Sequence, residues 1–160
     1  MKIQTTRFGE IDFPEEVLIL FPEGVLGFPA GRRYILLEHD MENSPFKWLQ
    51  SVELPDLAFI VVDPLLIVPQ YPVSIDAETL QMIEARDASR LAFMAIVNVP
   101  RDEPIKMTAN MKAPLVVNPE TRLGRQIIIG SQAFSIHEPV FPRINERNGG
   151  SKTGKSVVTA

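Results

Sequence analysis

At 160 residues, of which 45% are apolar and 22% charged, the sequence predicts one globular domain and excludes a disordered chain. The absence of cysteine excludes disulfides, thiolate catalysis and cysteine-bound zinc. The net charge is −4, but from Arg143 onward four cations and one acid give +3, which leaves −7 on residues 1–142; such an acidic body disfavours direct binding to nucleic acid and favours a basic protein partner.

Nothing in the sequence has the pattern of a membrane-spanning or secretory segment. It contains no run of about 18 apolar residues, the length that a membrane-spanning helix needs. Its first residues, MKIQTTRFGEIDF, carry acids where a signal peptide has its apolar region. We therefore expect a soluble protein that stays in the cytoplasm and does not bind a membrane.

The N-terminal quarter predicts closely spaced strands. Residues 2–6, 8–13 and 16–21 are short apolar segments separated by glycine, proline and acids, a spacing typical of consecutive strands in an antiparallel sheet. Glycines punctuate the stretch that follows, GVLGFPAGRR, where they permit positive φ angles and close backbone approach. Residues 34–38, YILLE, predict the next strand.

The central stretch, residues 45–64 (PFKWLQSVELPDLAFIVVDP), contains the only tryptophan and predicts two strands joined by a proline turn. Phe46, Trp48 and Gln50 alternate with residues of the opposite face, which is the period of a strand with two unlike faces. Pro55 turns the chain because it fixes φ and removes a hydrogen-bond donor. Residues 57–62, LAFIVV, are apolar at every position and predict a strand buried on both faces in the middle of the fold.

The second half predicts one helix and several further strands. Residues 65–71 are apolar but interrupted by proline, which indicates a sheet edge or a loop. Residues 77–85 predict the helix, with Asp76 as its N-cap. Further strands are predicted at residues 91–99, 107–111, 115–117 and 125–129, the last of them between the turn residues Gly124 and Gly130.

Together these elements predict a mainly β fold, a small antiparallel β-barrel or roll of about ten short strands with one short helix. Residues 1–145 are expected to form its single domain. From Glu146 the sequence becomes small, polar and basic, which predicts a disordered tail over residues 146–160.

Motifs for catalysis lack their usual context, and no catalytic residue, metal or cofactor is predicted. The string GGSKTGKS at residues 149–156 has the form of a phosphate-binding loop, but that loop needs a preceding strand and a following helix, so we interpret it as coincidence. His39 and His137 are expected in separate loops rather than in one metal site. The carboxylate pairs at residues 15–16 and 102–103 lie beside prolines and favour solvated turns over an acid–base dyad. The alternative is a small β-barrel hydrolase or nucleotide-binding enzyme that uses His39, His137 or the tail string.

Two groups of residues are candidates for a partner surface. The aromatic residues of the central stretch are typical core residues, and their exposure decides between packing and binding. Polar residues concentrate in segment 108–129, where loops on a rigid sheet often contact partners, although ordinary solvated charge explains them equally well. If Lys112 and Arg122 belong to a partner surface, reversing their charge weakens binding and leaves the melting temperature nearly unchanged. The full set of candidates is Phe46, Trp48, Leu54, Asn110, Lys112, Arg122, Arg125 and Gln126.

Two long segments carry a specific resemblance. PFKWLQSVELPDLAFIVVDP at residues 45–64 and TANMKAPLVVNPETRLGRQIII at residues 108–129 closely resemble the flagellar assembly factor FliW family. The strings GVLGFPAGRRYILLE and IVNVP support the resemblance, which covers nearly the whole of residues 1–141. The tail and its phosphate-loop string lie outside it.

The resemblance implies a bacterial cytoplasmic protein with a small antiparallel β-barrel-like fold, no catalytic activity and no cofactor. It implies binding to newly made flagellin, near the C-terminal helical region of flagellin, and to the RNA-binding translational repressor CsrA. Accumulated flagellin would then occupy the protein and release CsrA to repress flagellin translation, and secretion of flagellin would reverse the exchange. A third possibility is a barrel module that holds some other protein.

Overall fold

The computed structural model describes residues 1–25, 27–39, 41, 43–71, 73–130, 132–141 and 143–144. Within these ranges the chain forms eleven β-strands, one α-helix (α1, Ala77–Met82) and three short 3₁₀ helices (Glu15–Val17, Pro64–Leu66 and Pro104–Lys106). The strands are β1 (Lys2–Thr5), β2 (Gly9–Asp12), β3 (Ile19–Leu20), β4 (Arg33–Glu38), β5 (Phe46–Ser51), β6 (Ala58–Val62), β7 (Ala92–Asn98), β8 (Thr108–Ala109), β9 (Leu115–Asn118), β10 (Leu123–Gln126) and β11 (Glu138–Pro139).

Seven strands close a barrel in the order β7, β6, β5, β4, β3, β10 and β9, and β9 pairs back to β7. The pairs are antiparallel except for β3 and β10, which run parallel and meet at Leu20 and Leu123. β8 and β11 extend the sheet beside the second half of β7, and β1 and β2 form a separate antiparallel hairpin. The predicted mainly β barrel with one short helix is confirmed.

The central stretch forms β5 and β6 around the predicted turn at Pro55. Gln50 of β5 is fully buried, and its side-chain amide donates hydrogen bonds to the carbonyls of Ser51, Pro55 and Leu57. A buried carbonyl without a partner is costly, so this one side chain stabilises the turn from its inner side.

β6 is less buried than its apolar sequence predicts. It lies between β5 and β7 in the sheet, yet only Val61 and Val62 are buried, and its first three residues are half-buried. The reason is the register, because β7 pairs with β6 only from Ile60 to Val62. The first half of β6 therefore lacks a neighbouring strand on that edge.

The barrel interior is filled by one apolar cluster. Leu36, Leu49 and Phe59 oppose each other across β4, β5 and β6, and Val61 opposes Ile96 of β7. Side chains alternate between the two faces of a strand, so these residues share the inner face. The buried members of this cluster are Ile19, Phe21, Val25, Tyr34, Leu36, Leu49, Val61, Met94, Leu115 and Val117.

Two further clusters cover parts of the outer face. The β1–β2 hairpin packs Ile11 and Phe13 onto Ile35 and Leu37 of β4. Elsewhere, apolar residues of the segments 67–73 and 134–144 pack against the outer sides of β6, β7 and β8. The sheet is therefore apolar on both faces where these segments lie, which explains why few of its strands show a simple alternation of apolar and polar residues.

The structure differs from the expected run of consecutive paired strands at the N-terminus. β1 and β2 pair, but β3 joins the barrel between β4 and β10 instead of pairing with β2. Pro14 has no N–H to donate, and the 3₁₀ helix Glu15–Val17 that follows it separates β2 from β3.

Helix α1 begins where predicted and ends three residues early. The Asp76 carboxylate caps it by accepting a hydrogen bond from the Thr79 N–H at 2.9 Å. It ends at Met82 rather than at residue 85, because Glu84 adopts a φ of 55° that is incompatible with a continuing helix.

Gly124 is not the turn residue that the sequence predicts. It lies inside β10 opposite Val117, and a Cβ at this position would lie 2.6 Å from the Phe21 ring. Only glycine lets the backbone approach this ring so closely. The predicted strand 125–129 is therefore displaced, and β10 spans Leu123–Gln126.

The predicted tail at residues 146–160, with its GGSKTGKS string, lies outside the described residues. Among the helices that the structure describes, none has the length and apolar character needed to cross a membrane.

Candidate partner-binding surface

The polar candidates on segment 108–129 are largely engaged in shaping their own loops. The Asn110 side chain accepts hydrogen bonds from the backbone N–H groups of Lys112 and Ala113. The Gln126 amide donates to the Ala113 carbonyl at 2.9 Å. Lys112 is half-buried, and its ammonium forms no ion pair with any described residue. In the loop at residues 110–114, Lys112 is the charged residue, and its ammonium could pair with an acidic group of a partner.

Arg125 joins β10 to helix α1. Its guanidinium pairs with Glu23 at 2.8 Å, donates to the Thr79 hydroxyl at 2.8 Å and lies 3.8 Å from Glu78. Only 19% of its side chain is exposed. A partner would have to displace these contacts, so the structure favours a packing role for Arg125.

Arg122 occupies the turn between β9 and β10, at the edge of the barrel where β3 meets β10. Its guanidinium donates to the carbonyls of Val17 at 2.7 Å and Leu18 at 3.4 Å, and its own carbonyl accepts from the Leu20 N–H at 2.9 Å. Burial lowers the pKa of Arg122, although arginine stays charged in proteins. Its φ of 61° is unusual for a residue with a side chain. These contacts indicate that Arg122 holds the chain before β3 against β10.

Trp48 is half-buried among neighbouring side chains. Arg7 lies over its ring, 4.7 Å from the ring centroid, the Phe8 ring meets it edge-on, and the His39 ring stacks parallel to it at 6.3 Å. These are favourable cation–π and aromatic contacts. The Trp48 indole N–H is buried and has no hydrogen-bond partner among the described residues. Trp48 thus mainly joins the N-terminal hairpin to β5.

Leu54 lies in the β5–β6 turn, where it is half-buried and its N–H donates to the Ser51 hydroxyl. Phe46, at the start of β5, is in contact range of His39, whose ring lies 6.4 Å away. The structure therefore brings Phe46 and Trp48 together through His39, and places Leu54 and the polar candidates elsewhere.

Phe46 opens onto an apolar groove that the sequence analysis did not identify. The groove has a volume of about 330 Å³, and we call it the Phe46 groove. Met41 and Ile105 are exposed on it, Ile105 by 63%. Large apolar side chains exposed around a concave surface are typical of protein interaction sites, and methionine adapts its shape to different partners. The groove is lined by His39, Met41, Ser44, Pro45, Phe46, Pro104, Ile105, Met107, Phe141 and Ile144.

The sequence offered a weak signal for this groove. Ile105 is an isolated apolar residue between Pro104 and Lys106, and the acids at 102–103 led us to expect only solvated turn charges. Glu103 does pair with Lys106 at the surface. What periodicity does not reveal is that the 3₁₀ helix Pro104–Lys106 lies beside the start of β5, some sixty residues earlier in the chain.

Within the described ranges, no group of three or more histidine, cysteine, aspartate or glutamate residues is placed to hold a metal. His39 lies on the Phe46 groove, whereas His137 is exposed and absent from the lining of that groove.

The shifted pKa values of Tyr34 and Glu53 reflect packing of the barrel rather than a catalytic site. Burial, with a contribution from Glu53, raises the pKa of Tyr34 to about 12. The pKa of Glu53 is lowered although its burial acts in the opposite direction, because the backbone and side chain of Arg33 donate hydrogen bonds to it. The hydrolase and nucleotide-binding alternative is not favoured.

Comparisons with known proteins agree on one family. The model of the family described as "FliW protein" matches residues 2–140. A protein named flagellar assembly factor FliW from Bdellovibrio bacteriovorus is 38% identical over 92% of this chain and 83% of its own length. Another of the same name, from Geotalea uraniireducens, is 39% identical over 94% of this chain and 90% of its own. A solved structure titled as the crystal structure of the flagellar assembly factor FliW matches with a TM-score of 0.79 and 32% identity, covering 89% of this chain and 98% of the other.

Proposed function

This chain belongs to the FliW family, and from that premise we propose that it is a non-enzymatic cytoplasmic protein that binds flagellin and the translational repressor CsrA in exchange. Its similarity to flagellar assembly factors gives the general role. The proposal adds the two partners, a chaperone-like protection of flagellin before export, and relief of CsrA repression when flagellin has been exported.

The Phe46 groove is the observation that carries the flagellin half of the proposal. Unassembled flagellin ends are expected to expose amphipathic helical segments, and a helix of this kind binds by laying its apolar face into a hydrophobic groove. Met41 and Ile105 lie exposed at the groove, and Phe46 and Phe141 are half-buried in it. The groove therefore has apolar anchors that are accessible to a partner without unfolding of the barrel.

Charge supports the CsrA half. Residues 1–142 carry a formal charge of −7, and a protein that grips RNA is expected to be basic. Opposite charges accelerate association and reduce binding to wrong partners more than they raise final affinity. Fast capture suits a protein that exchanges two partners.

A competition titration tests the exchange. Flagellin is added to a preformed complex of this protein with CsrA, and free CsrA is measured by its binding to labelled flagellin messenger RNA. We expect CsrA to be released as flagellin binds, because exchange requires sites that overlap or are negatively coupled. CsrA that stays bound at saturating flagellin would rule out the exchange.

Groove variants test where flagellin binds. Ile105→Asp places a charge in the Phe46 groove, and we expect it to weaken flagellin binding by at least about tenfold, since apolar anchors often contribute more than 1.4 kcal/mol. Ile128→Asp is the matched control, because Ile128 is 65% exposed and lies outside the groove. Both variants are expected to keep the melting temperature of the parent, because both side chains are mostly solvated. Equal flagellin affinity for the two variants would place the flagellin site elsewhere.

A further inference from the structure

A second, smaller cavity opens at one end of the barrel, and we call it the mouth cavity. Its volume is about 170 Å³. Leu36, Val61, Met94 and Val117, which belong to the apolar cluster of the barrel interior, are among its lining residues. A dry cavity of about 150 Å³ in another protein holds a benzene molecule, so the mouth cavity is large enough for one leucine or phenylalanine side chain.

Lys47 gives the mouth cavity its charge. It opposes Val61 across β5 and β6 and lies two residues from Leu49, so it stands at an inward-facing position of the barrel. It is half-buried, and although Glu38 is its neighbour on β4, the Lys47 ammonium forms no ion pair with a described residue. Lys47 therefore presents a cation beside an apolar wall, and an anion bound there would form a charge-assisted pair with its ammonium.

The balance of charges around the cavity points the same way. Arg122 is also among its lining residues, and Asp63 is the one acid among the lining residues that the structure describes. The Asp63 carboxylate already accepts a hydrogen bond from the Leu65 N–H at 2.9 Å, where it caps a 3₁₀ helix. Two cations and one acid thus line the described part of the mouth cavity, and this balance complements a carboxylate better than a basic group.

The mouth cavity and the Phe46 groove are neighbours. Pro45 lines both of them, and the next two residues, Phe46 and Lys47, line the groove and the cavity respectively. Successive residues of a strand point to opposite faces, so the start of β5 separates the two cavities by the thickness of a single strand. One polypeptide can therefore lie in the groove and place its end in the mouth.

We propose that the mouth cavity binds the carboxyl-terminal residue of the polypeptide that occupies the Phe46 groove, with an apolar side chain in the cavity and the terminal carboxylate paired with Lys47. The proposal rests on the proposed function and specifies the chemical group that is recognised, the terminal carboxylate with its adjoining apolar side chain. A terminal residue fits because its side chain and its carboxylate project from the same Cα atom. One residue then meets both the apolar wall and the cation.

The test compares two synthetic peptides that match the C-terminal end of flagellin, one with a free carboxylate and one with a terminal amide. Binding to the full chain is measured by calorimetry. We expect the amide to bind about tenfold more weakly than the acid, as is typical when a charged hydrogen bond is lost from a binding site. Lys47→Met is expected to bind acid and amide equally, whereas Lys47→Arg keeps the preference for the acid. Lys2→Met, which removes an exposed lysine paired with Glu10, is the control and should match the parent.

Each outcome decides the matter. Equal binding of acid and amide to the parent protein refutes this proposal and leaves the groove as the flagellin site. A preference for the acid that survives in Lys47→Met places the carboxylate elsewhere and also refutes it. If neither peptide binds but sodium octanoate binds tightly, and this binding is abolished in Lys47→Met, the occupant is a fatty carboxylate and the proposal is refuted. Failure of both peptides and of full-length flagellin to bind would remove the proposed function together with this inference. If Lys47→Met fails to fold, equal binding of acid and amide to the parent protein still refutes the proposal.

Discussion

Replacing Arg122 by methionine distinguishes two possible roles of this side chain, stabilising the closed barrel and binding a partner. If Arg122 belonged to a partner surface, changing its charge would leave the melting temperature nearly unchanged. The structure instead gives its guanidinium two backbone acceptors, the carbonyls of Val17 and Leu18. Methionine keeps much of the length of the side chain but carries no charge and donates no hydrogen bond, so the variant removes these two bonds together with the charge.

The expected size of the effect follows from those contacts. A hydrogen bond from a charged donor contributes about 1.5–3 kcal/mol, and the contact to Leu18, at 3.4 Å, is long enough to count for little. We therefore expect Arg122→Met to lower the free energy of unfolding by about 2–3 kcal/mol. For a chain of this size each kcal/mol lowers the melting temperature by about 2–4 °C, so the melting temperature should fall by roughly 4–12 °C.

The assay is urea denaturation of three variants followed by tryptophan fluorescence. Arg90→Met is the matched arginine control, because Arg90 is 84% exposed and its pair with Glu120 is at the surface. Lys112→Met is the second control, and we expect both controls to lie within about 0.5 kcal/mol of the parent. A denaturation midpoint for Arg122→Met equal to that of the controls would contradict the reasoning. Weakened binding of flagellin or CsrA at an unchanged midpoint would assign Arg122 to a partner surface instead.

Three further outcomes are expected. Gly124→Ala should cost about 1–3 kcal/mol of stability, because its Cβ would lie 2.6 Å from the Phe21 ring, and combining it with Phe21→Leu in a double-mutant cycle should recover part of the loss in chemical denaturation. Tyr34→Phe should be neutral or slightly stabilising at pH 7, since the Tyr34 hydroxyl is buried without a hydrogen-bond partner among the described residues. The fold raises the pKa of Tyr34 to about 12, whereas the unfolded chain has the ordinary value near 10. Ionisation of Tyr34 therefore costs no stability below pH 10, and stability is lost as the pH rises from 10 toward 12. The phenylalanine variant lacks this group and should resist alkaline unfolding better than the parent in a pH titration followed by circular dichroism. Trp48→Ala should lower the free energy of unfolding by about 2–4 kcal/mol through lost contacts with Arg7 and Phe8. Its urea denaturation is followed by circular dichroism because the variant has no tryptophan, and an unchanged midpoint would show that the ring contributes by binding rather than by packing.

Local features of the fold were predictable from the sequence because local chemistry determines them. The alternation from Phe46 to Ser51 gives β5, the proline turn follows it, and Asp76 caps α1 at the expected position. Each of these signals acts over a few residues. The resemblance to the FliW family predicts the barrel fold more specifically than composition does, and the match of the family model agrees with this resemblance.

The features that the sequence did not reveal depend on contacts between distant segments. A glycine looks the same in a sequence whether it makes a turn or leaves room for a ring, so the sequence predicts a turn at Gly124, whereas the fold places the Phe21 ring beside it. The exposure of Ile105 depends on how the loop at 101–107 packs against β5. No periodic pattern in the sequence predicts that contact between distant segments. Polar side chains such as Arg125 look free in a sequence, whereas the fold gives them partners up to about a hundred residues away.

The parallel contact between β3 and β10 has a consequence for how the chain folds. Leu20 pairs with Leu123, so the last joint of the barrel links residues that are about a hundred positions apart. Closing so long a loop costs chain entropy before the contact can stabilise the barrel, and contacts of this kind slow folding. The meander from β4 to β7, by contrast, pairs neighbours in sequence and can form early. During synthesis on the ribosome, β3 therefore has to wait with one edge unpaired until residues 123–126 have emerged, and in that interval the nascent chain is most exposed to aggregation and to chaperones.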